Sequence, residues 1–147
     1  MIVQPRTDIA PDPKMPDESG SHIKNATILS QHGVKISLLP PDLSIRPGGI
    51  IGSDLLTFPL AGTFAIRGGM SEKQALEAIT IRPAEMLGIS HRVGSIEEGK
   101  DADIIILDGN PFDYNTYVEF TIINGKVLYN KSKSPLFQKI PKSKRLE

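Results

Sequence analysis

Side chains that commonly carry enzyme chemistry are few and widely spaced in this chain of 147 residues. It has no cysteine, so thiolate zinc sites, cysteine nucleophiles and disulfide bonds are excluded. The three histidines, His22, His32 and His91, are scattered, and no His-x-His pair occurs. We interpret each as structural. His32 falls at the end of a predicted helix, where it can meet the negative end of the helix dipole, and His91 falls in a turn.

Composition excludes several further classes of function. Gly48, Gly49 and Gly52 match neither G-x-x-x-x-G-K-[ST] nor G-x-G-x-x-G, so a phosphate-binding loop is rejected. The 17 basic residues balance the 17 acidic ones, which argues against nucleic acid as a partner. The longest apolar runs are far below the roughly 20 residues that a membrane span needs. The first residues lack the pattern of a signal peptide, so we expect a cytoplasmic protein without membrane contact.

The elements that would position a site alternate between helix and strand up to about residue 92. Residues 1–21 are rich in proline and aspartate and predict a loop after a short apolar start. The pattern then predicts a helix over 23–31 capped by Ser19 or Ser21, followed by a buried strand over 34–39 and a loop over 40–53. A helix over 55–67, interrupted by Pro59, comes next. A capping box from Ser71 to Gln74 opens a further helix, and a short helix starts at Pro83.

Residues 93–130 predict strands. Ile104–Leu107 is a continuous apolar run, residues 118–122 alternate with period two, and Asn124-Gly125 is a strong hairpin signal. About three strands are too few to enclose a core alone, which indicates a missing partner. Residues 131–147 hold six of the 17 basic residues and are interpreted as a solvated end.

Strings between residues 68 and 130 resemble the C-terminal part of metal-dependent amidohydrolases, specifically the imidazolonepropionase-like group. The strings are GMSEKQAL (69–76), AITIRPAEMLG (78–88), RVGSIEEGKDAD (92–103) and INGKV (123–127). Of these, the Gly-Ser-Ile-Glu-x-Gly-Lys-x-Ala-Asp run is highly specific for the family. Residues 25–39 also resemble the family's last barrel helix and strand, so the resemblance covers about residues 2–130.

The resemblance implies an α/β fold: the C-terminal portion of a (β/α)8 TIM barrel, followed by strands of the amidohydrolase β-sandwich. On that template the chain divides into three segments. Residues 1–92 contain the last two barrel strands (2–5 and 34–39), the helix between them (23–32) and the closing helices (55–88). Residues 93–130 contain the C-terminal strands of the sandwich, and residues 131–147 are a basic tail. Six barrel strands and the N-terminal sandwich strands are unaccounted for. The chain therefore resembles the last third of an enzyme.

The resemblance also implies hydrolysis of a C–N bond by metal-activated water. Such enzymes bind one or two divalent ions, zinc or similar, at the carboxyl ends of the barrel strands, and one aspartate after the last strand binds metal and takes a proton from water. Asp42 and Asp54 compete for that role. Asp42 directly follows the strand over 34–39 but is preceded by two prolines. Asp54 has the expected Gly-Ser before it, yet lies some 15 residues beyond the strand and can instead cap the helix from Leu55.

Arg6 and Arg46 are the substrate-binding candidates on this template. Both would stand near the barrel mouth, where a guanidinium can bind a carboxylate with two hydrogen bonds. A solvated loop charge is an equally good interpretation of each. The charges that match the family best, Lys100, Asp101 and Asp103, lie in the predicted sandwich, where we expect turn and register roles.

Three hypotheses remain open. The first is the C-terminal segment of an amidohydrolase acting on a small amide, cyclic amide or dipeptide-like molecule, inactive alone because it has too few ligands to hold a metal. The second is a non-catalytic chain that pairs with another polypeptide, either a separate N-terminal barrel half or a copy of itself, because unpaired strand edges favour association. The third is a relic without independent function.

Overall fold

The structure is a computed structural model that describes residues 1–3, 10, 12–14, 22–39 and 58–138. The chain divides into two compact units, Met1–Ser95 and Ile96–Glu147. Each unit is described by itself below. Among the helices of the described ranges, none combines the length and the apolar character needed to cross a membrane.

A pair of short parallel strands organises the first unit. Strand β1 (Ile2–Val3) pairs with β2 (Ser37–Leu38), and the backbone N–H of Leu39 extends the ladder by donating to the Val3 carbonyl at 3.0 Å. Parallel strands need a long crossover connection. Helix α1 (Asn25–Gln31) lies within that connection. The predicted strand over 34–39 is therefore present, but only its centre forms ladder pairs.

Three helices follow β2: α2 (Phe58–Arg67), α3 (Glu72–Ile79) and α4 (Ile81–Met86). Helix α3 packs against α2, α4 and β2. Its start confirms the predicted capping box, because the Ser71 hydroxyl accepts from the Gln74 backbone N–H and the Gln74 side chain accepts from the Ser71 N–H. Pro59 does not interrupt α2, since it is the helix's second residue, where no N–H is needed.

Two predicted helix starts are corrected. Helix α4 begins at Ile81 rather than at Pro83, because proline is also tolerated at the third position of a first turn, whose N–H groups have no intrahelical partner. The N-cap position of α1 is Lys24, which makes no side-chain capping bond. The predicted caps Ser19 and Ser21 lie outside the described residues, as do residues 40–57.

The second unit contains an antiparallel sheet of three strands in the order β3 (Ile104–Leu107), β4 (Val118–Ile123) and β5 (Lys126–Asn130). The predicted hairpin is confirmed: Asn124 (φ +50°) and Gly125 (φ +73°) have the two left-handed conformations that a type I′ turn requires. A 3-10 turn (Lys131–Lys133) and helix α5 (Pro135–Gln138) follow β5. These occupy the start of the predicted basic tail, and residues 139–147 lie outside the described residues.

Thr27 offers a test of the packing around α1. Its hydroxyl is buried and has no hydrogen-bond partner among the described residues, in a residue that is 9% exposed. We expect Thr27→Val to raise the free energy of unfolding by about 1 kcal/mol, because the buried hydroxyl is removed while the shape is kept. Urea denaturation measures the change.

Thr63→Val is the matched control for this substitution. The Thr63 hydroxyl is part-buried and donates to the Pro59 carbonyl at 3.3 Å, so the same change should destabilise the protein here. Equal effects at both positions would contradict the assignment of the Thr27 hydroxyl as unsatisfied.

Candidate functional site

The four candidate site residues, Asp42, Asp54, Arg6 and Arg46, all lie outside the described residues. Their roles therefore stay predictions. What the structure gives is the frame on either side of them: β1 ends at Val3, β2 ends at Leu38 and α2 begins at Phe58.

The carboxyl edge of the strand pair is the candidate site. Because β1 and β2 are parallel, their carboxyl ends lie at the same edge. Arg6 follows β1 in the sequence, and Asp42 follows β2. In α/β sheets, ligands bind outside the carboxyl ends of the strands. The segment that carries Arg6 and the segment that carries Asp42 therefore both follow strand ends at this same edge.

The three histidines have separate local environments. His22 accepts a hydrogen bond from the Lys24 backbone N–H through Nδ1 at 3.1 Å, which is a local turn contact. His32 is the C-cap residue of α1, as predicted, and His91 is exposed in a turn. Within the described ranges, no three His, Asp or Glu side chains come together in an arrangement that could hold a metal ion.

A cluster of four charges lies at the opposite, amino end of β2, and sequence reasoning missed it. Arg82 donates through Nη1 to both carboxylate oxygens of Glu85, at 3.0 and 3.2 Å, and through Nη2 to Glu77 at 3.0 Å. Lys35, which precedes β2, donates to Glu85 at 3.3 Å. The cluster therefore ties α3 and α4 to the approach of β2. Only the spacing of Arg82 and Glu85, three residues apart, could have indicated part of it.

The charge cluster shifts the protonation equilibria of its members. Hydrogen bonds from Arg82, then from Lys35, hold the pKa of Glu85 below its usual value. The hydrogen bond to Glu85 is the largest effect that raises the pKa of Arg82. Both shifts favour the charged forms of Arg82 and Glu85.

An open cavity of about 250 Å³ adjoins this cluster. Its polar lining includes Ser30, Lys35, Gln74, Glu77 and Arg82. Four of these polar side chains already have partners: Gln74 caps α3, Arg82 binds Glu77, and Lys35 binds Glu85. Because the cavity lies at the amino end of β2, it is separate from the edge at which Arg6 and Asp42 follow the strands.

Three charged residues of the RVGSIEEGKDAD string, Glu97, Lys100 and Asp103, make local structural contacts. Asp103 accepts a hydrogen bond from the Asn124 backbone N–H at 2.8 Å, and the Gly125 N–H donates to the Ala102 carbonyl at 3.1 Å. The string thus fastens the β4–β5 turn. Lys100 pairs with Glu97 at 3.1 Å, which is a contact within the same loop. The expected turn roles of Lys100 and Asp103 agree with this geometry.

Comparison with known proteins places the chain in a family. The model of the amidohydrolase family matches residues 14–129. This chain belongs to the amidohydrolase family, and the resemblance read from its sequence is confirmed. Imidazolonepropionase from Thermoplasma acidophilum is 38% identical over 68 residues, which are 42% of this chain and 17% of that protein. Imidazolonepropionase from Porphyromonas gingivalis is 32% identical over 95 residues, covering 60% of this chain and 22% of that protein.

Other relatives carry different names. N-acetylglucosamine-6-phosphate deacetylase from Danio rerio is 48% identical over 50 residues, 34% of this chain and 12% of that protein. Among solved structures, an amidohydrolase from Thermotoga maritima is similar over 88% of this chain and 31% of its own, with 29% identity and a TM-score of 0.70. A Xaa-Pro dipeptidase with bound methionine is similar over 74% and 25%, with 26% identity and a TM-score of 0.56. The chain spans between 12% and 22% of the length of these three curated relatives.

The pKa of Glu85 predicts how acid affects the first unit. A group whose pKa is lowered in the folded state stabilises the fold above its unfolded pKa, here 4.5, and this stabilisation is lost as the pH falls through the lower folded value. We expect Arg82→Met to be less stable than the wild type at pH 7 and to lose less of its stability between pH 5 and pH 3. Thermal melts of both proteins over this range measure the difference.

Arg67→Met, at an exposed arginine that ends α2, is the control for the loss of a positive charge. Its acid profile should follow that of the wild type. If Arg82→Met and the wild type lost stability in parallel over the same range, the cluster would not be the source of the acid sensitivity.

Substitution of the two glycines of the GSIEEG string by alanine should lower the stability by different amounts. Gly94 and Gly99 both have left-handed backbone, at φ +99° and φ +86°. A Cβ on Gly94 would lie 2.9 Å from Ala84 Cβ and from Ile81 Cα, whereas one on Gly99 would meet nothing within 4 Å. We expect Gly94→Ala to cost about 3 kcal/mol and Gly99→Ala about 1 kcal/mol of unfolding free energy, because only the first adds overpacking to backbone strain. Urea denaturation of the two variants tests the difference, and equal costs would contradict it.

Proposed function

We propose that this chain supplies the C-terminal part of a hydrolase that cleaves a carbon–nitrogen bond in a small amide or cyclic amide. The match of the amidohydrolase family over residues 14–129 carries the proposal. The names of the relatives support the substrate class: imidazolonepropionase, a sugar-phosphate deacetylase and, among the structures, a Xaa-Pro dipeptidase.

Within that enzyme, β1 and β2 are the last two strands of a (β/α)8 barrel, and residues 1–92 form its C-terminal part. Their parallel pairing, with α1 between them and α2 to α4 after them, supports this placement. Residues 93–130 supply strands of the β-sandwich, and residues 131–147 follow as a basic extension. The six other barrel strands and the N-terminal sandwich strands come from a separate N-terminal half. Alternatively, this chain pairs with a second copy, which would add its own two barrel strands.

The catalytic acid is Asp54 or Asp42. Either would accept a proton from the attacking water, which is the role of a general base. Arg6 and Arg46 would hold a carboxylate of the substrate. The family implies a divalent ion, zinc or similar, which activates the water when bound. Within the described residues no group of His, Asp and Glu forms such a site. In the proposed enzyme, its ligands would be Asp42 or Asp54 together with side chains of the further protein.

Complementation tests the proposal directly. We would co-express the chain with the amidohydrolase of Thermotoga maritima truncated before the region that aligns with it, and assay the purified pair for bound zinc, iron and manganese. Cyclic amides, N-acetylated sugar phosphates and dipeptides serve as substrates. We expect the pair to bind metal and hydrolyse one of these classes, and the chain alone to be free of metal and inactive.

Size-exclusion chromatography with light scattering measures the oligomeric state of the chain alone and of the co-expressed pair. A chain that alone forms a folded oligomer with stoichiometric metal would overturn the need for an N-terminal half and show that a second copy completes the site. A well-formed pair that binds no metal and hydrolyses none of the substrates would instead favour the non-catalytic interaction subunit.

Asp42→Asn and Asp54→Asn, tested in the assembled pair, serve as controls for one another. We expect one of them to lower kcat by roughly a hundredfold or more, as the loss of a general base does, and the other to have a small effect. If neither substitution lowered kcat, the acid would lie elsewhere and the assignment to residues 40–57 would be wrong.

A further inference from the structure

The ammonium group of Lys131 is surrounded by four side chains. Its Nζ donates to Glu119 at 2.7 Å and to Asp108 at 2.9 Å. The Tyr117 ring lies on a third side, with its centroid 4.7 Å from Nζ, and the Phe137 ring on a fourth, at 5.7 Å. The two rings meet edge to face with centroids 5.5 Å apart. Two carboxylates and two aromatic faces are the groups that bind an ammonium in a preformed cage.

This cage joins all three strands of the second unit at one end of the sheet. Asp108 comes directly after β3, Glu119 belongs to β4, and Lys131 comes directly after β5. Asp108 also accepts a hydrogen bond from the Tyr117 backbone N–H at 2.7 Å, which fixes one wall of the cage. The walls provided by β3 and β4 are thus connected to one another by a hydrogen bond that does not involve the lysine.

Residues 131–138, which we call the strap, form a locally bonded unit. Backbone N–H groups of Ser134, Phe137 and Gln138 donate to carbonyls of Lys131 and Ser134 within the strap. The Asn130 side chain accepts from Ser132 and caps the first turn. Among the hydrogen bonds described for the strap's side chains, those that reach β3 and β4 are the two of Lys131. The aromatic contact of Phe137 is the second attachment.

The strap carries both the cation that fills the cage and one of the cage's walls, so the cage is complete only when the strap is docked. We propose that the strap has two states and that Lys131 is its latch, the side chain that holds it in the closed state. When the Lys131 ammonium occupies the cage, residues 131–138 dock on the end of the sheet. When the ammonium leaves the cage, the strap moves away as a unit by rotation about Asn130. The open state uncovers the face of Tyr117 and the two carboxylates, which then form a site for another ammonium group.

Electrostatics support the closed state at neutral pH. The hydrogen bonds to Glu119 and then Asp108 raise the pKa of Lys131, so the latch keeps its charge. Its side chain is 20% exposed, against 23% for Asp108 and 36% for Glu119. Because these groups are partly open to solvent, salt should weaken the latch by screening.

Nuclear magnetic resonance and trypsin digestion of the 147-residue chain test the latch. In the wild type, we expect ring-to-ring Overhauser effects between Tyr117 and Phe137, and slow cleavage after Lys133. Lys131→Met should abolish those effects and speed cleavage after Lys133 roughly tenfold, because two charge-assisted hydrogen bonds are lost. Lys131→Arg should retain most of the wild-type behaviour. Lys126→Met, at an exposed lysine of β5, is the matched control and should change neither readout.

Chemical rescue separates the charge from the packing of the lysine chain. Ethylammonium chloride, but not the same concentration of sodium chloride, should restore slow cleavage to Lys131→Ala by filling the vacated cage. Retention of the Tyr117–Phe137 contact and of slow cleavage in Lys131→Met would overturn the proposal.

If Lys131→Met also lost the cross-strand signals between β3 and β4, the sheet itself would have unfolded, and Glu119→Gln would decide. This variant keeps the lysine and removes one ion pair. An intact sheet with a weakened ring contact would support the latch, and an intact sheet with unchanged ring contact and cleavage would refute it.

Discussion

Close packing of helices on β2 depends on alanine. In α1 to α4, every apolar side chain that is buried is an alanine: Ala26, Ala61, Ala65, Ala75, Ala78 and Ala84. Alanine lets backbones approach closely, but it removes little apolar area from water, so each contact contributes little to stability. The larger side chains of the same helices remain substantially exposed, with Ile28 at 44%, Leu60 at 41% and Leu76 at 43%. The first unit therefore has a thin core and a wide apolar surface, which is what further barrel strands would cover under the proposed function.

A thin core leaves much of the positioning of β2 to polar contacts. The charges around Arg82 lie at its amino end and connect it to α3 and α4, while the capping box fixes where α3 begins. The residues that follow the carboxyl end of β2 are those that the family resemblance associates with chemistry. In (β/α)8 barrels the two ends divide in this way, with stability at the amino end of the strands and catalysis at the carboxyl end. Under the proposed function, the cluster is therefore a scaffold feature, and its charges pair with one another.

Local signals in the sequence were sufficient for much of the fold. The capping box at Ser71, the hairpin at Asn124-Gly125 and the run Ile104–Leu107 each depend on residues a few positions apart, so their outcome is decided locally. The Arg82 cluster could not be predicted in this way, because Lys35 and Glu85 meet only after the helices have packed on β2. The cage of Lys131 likewise depends on the register of three strands. Resemblance to the amidohydrolase family was the basis for the candidate site residues Asp42, Asp54, Arg6 and Arg46. Their spacing in the sequence alone does not define the geometry of a site.

The strings that identify the family have structural roles in the described residues. Ser71 caps a helix, Arg82 ties α3 to α4, Gly94 leaves room for the contact with α4, and Asp103 holds a turn. Family membership is therefore carried by residues that build the scaffold. Under the proposed function, activity depends instead on the segments that follow the two strands, where Leu-Pro-Pro-Asp departs from the pattern that the family implies. Because scaffold and proposed chemistry occupy different residues, the first can persist while the second changes, and under that proposal Asp42 or Asp54 would decide between a hydrolase and a chain that keeps only the fold.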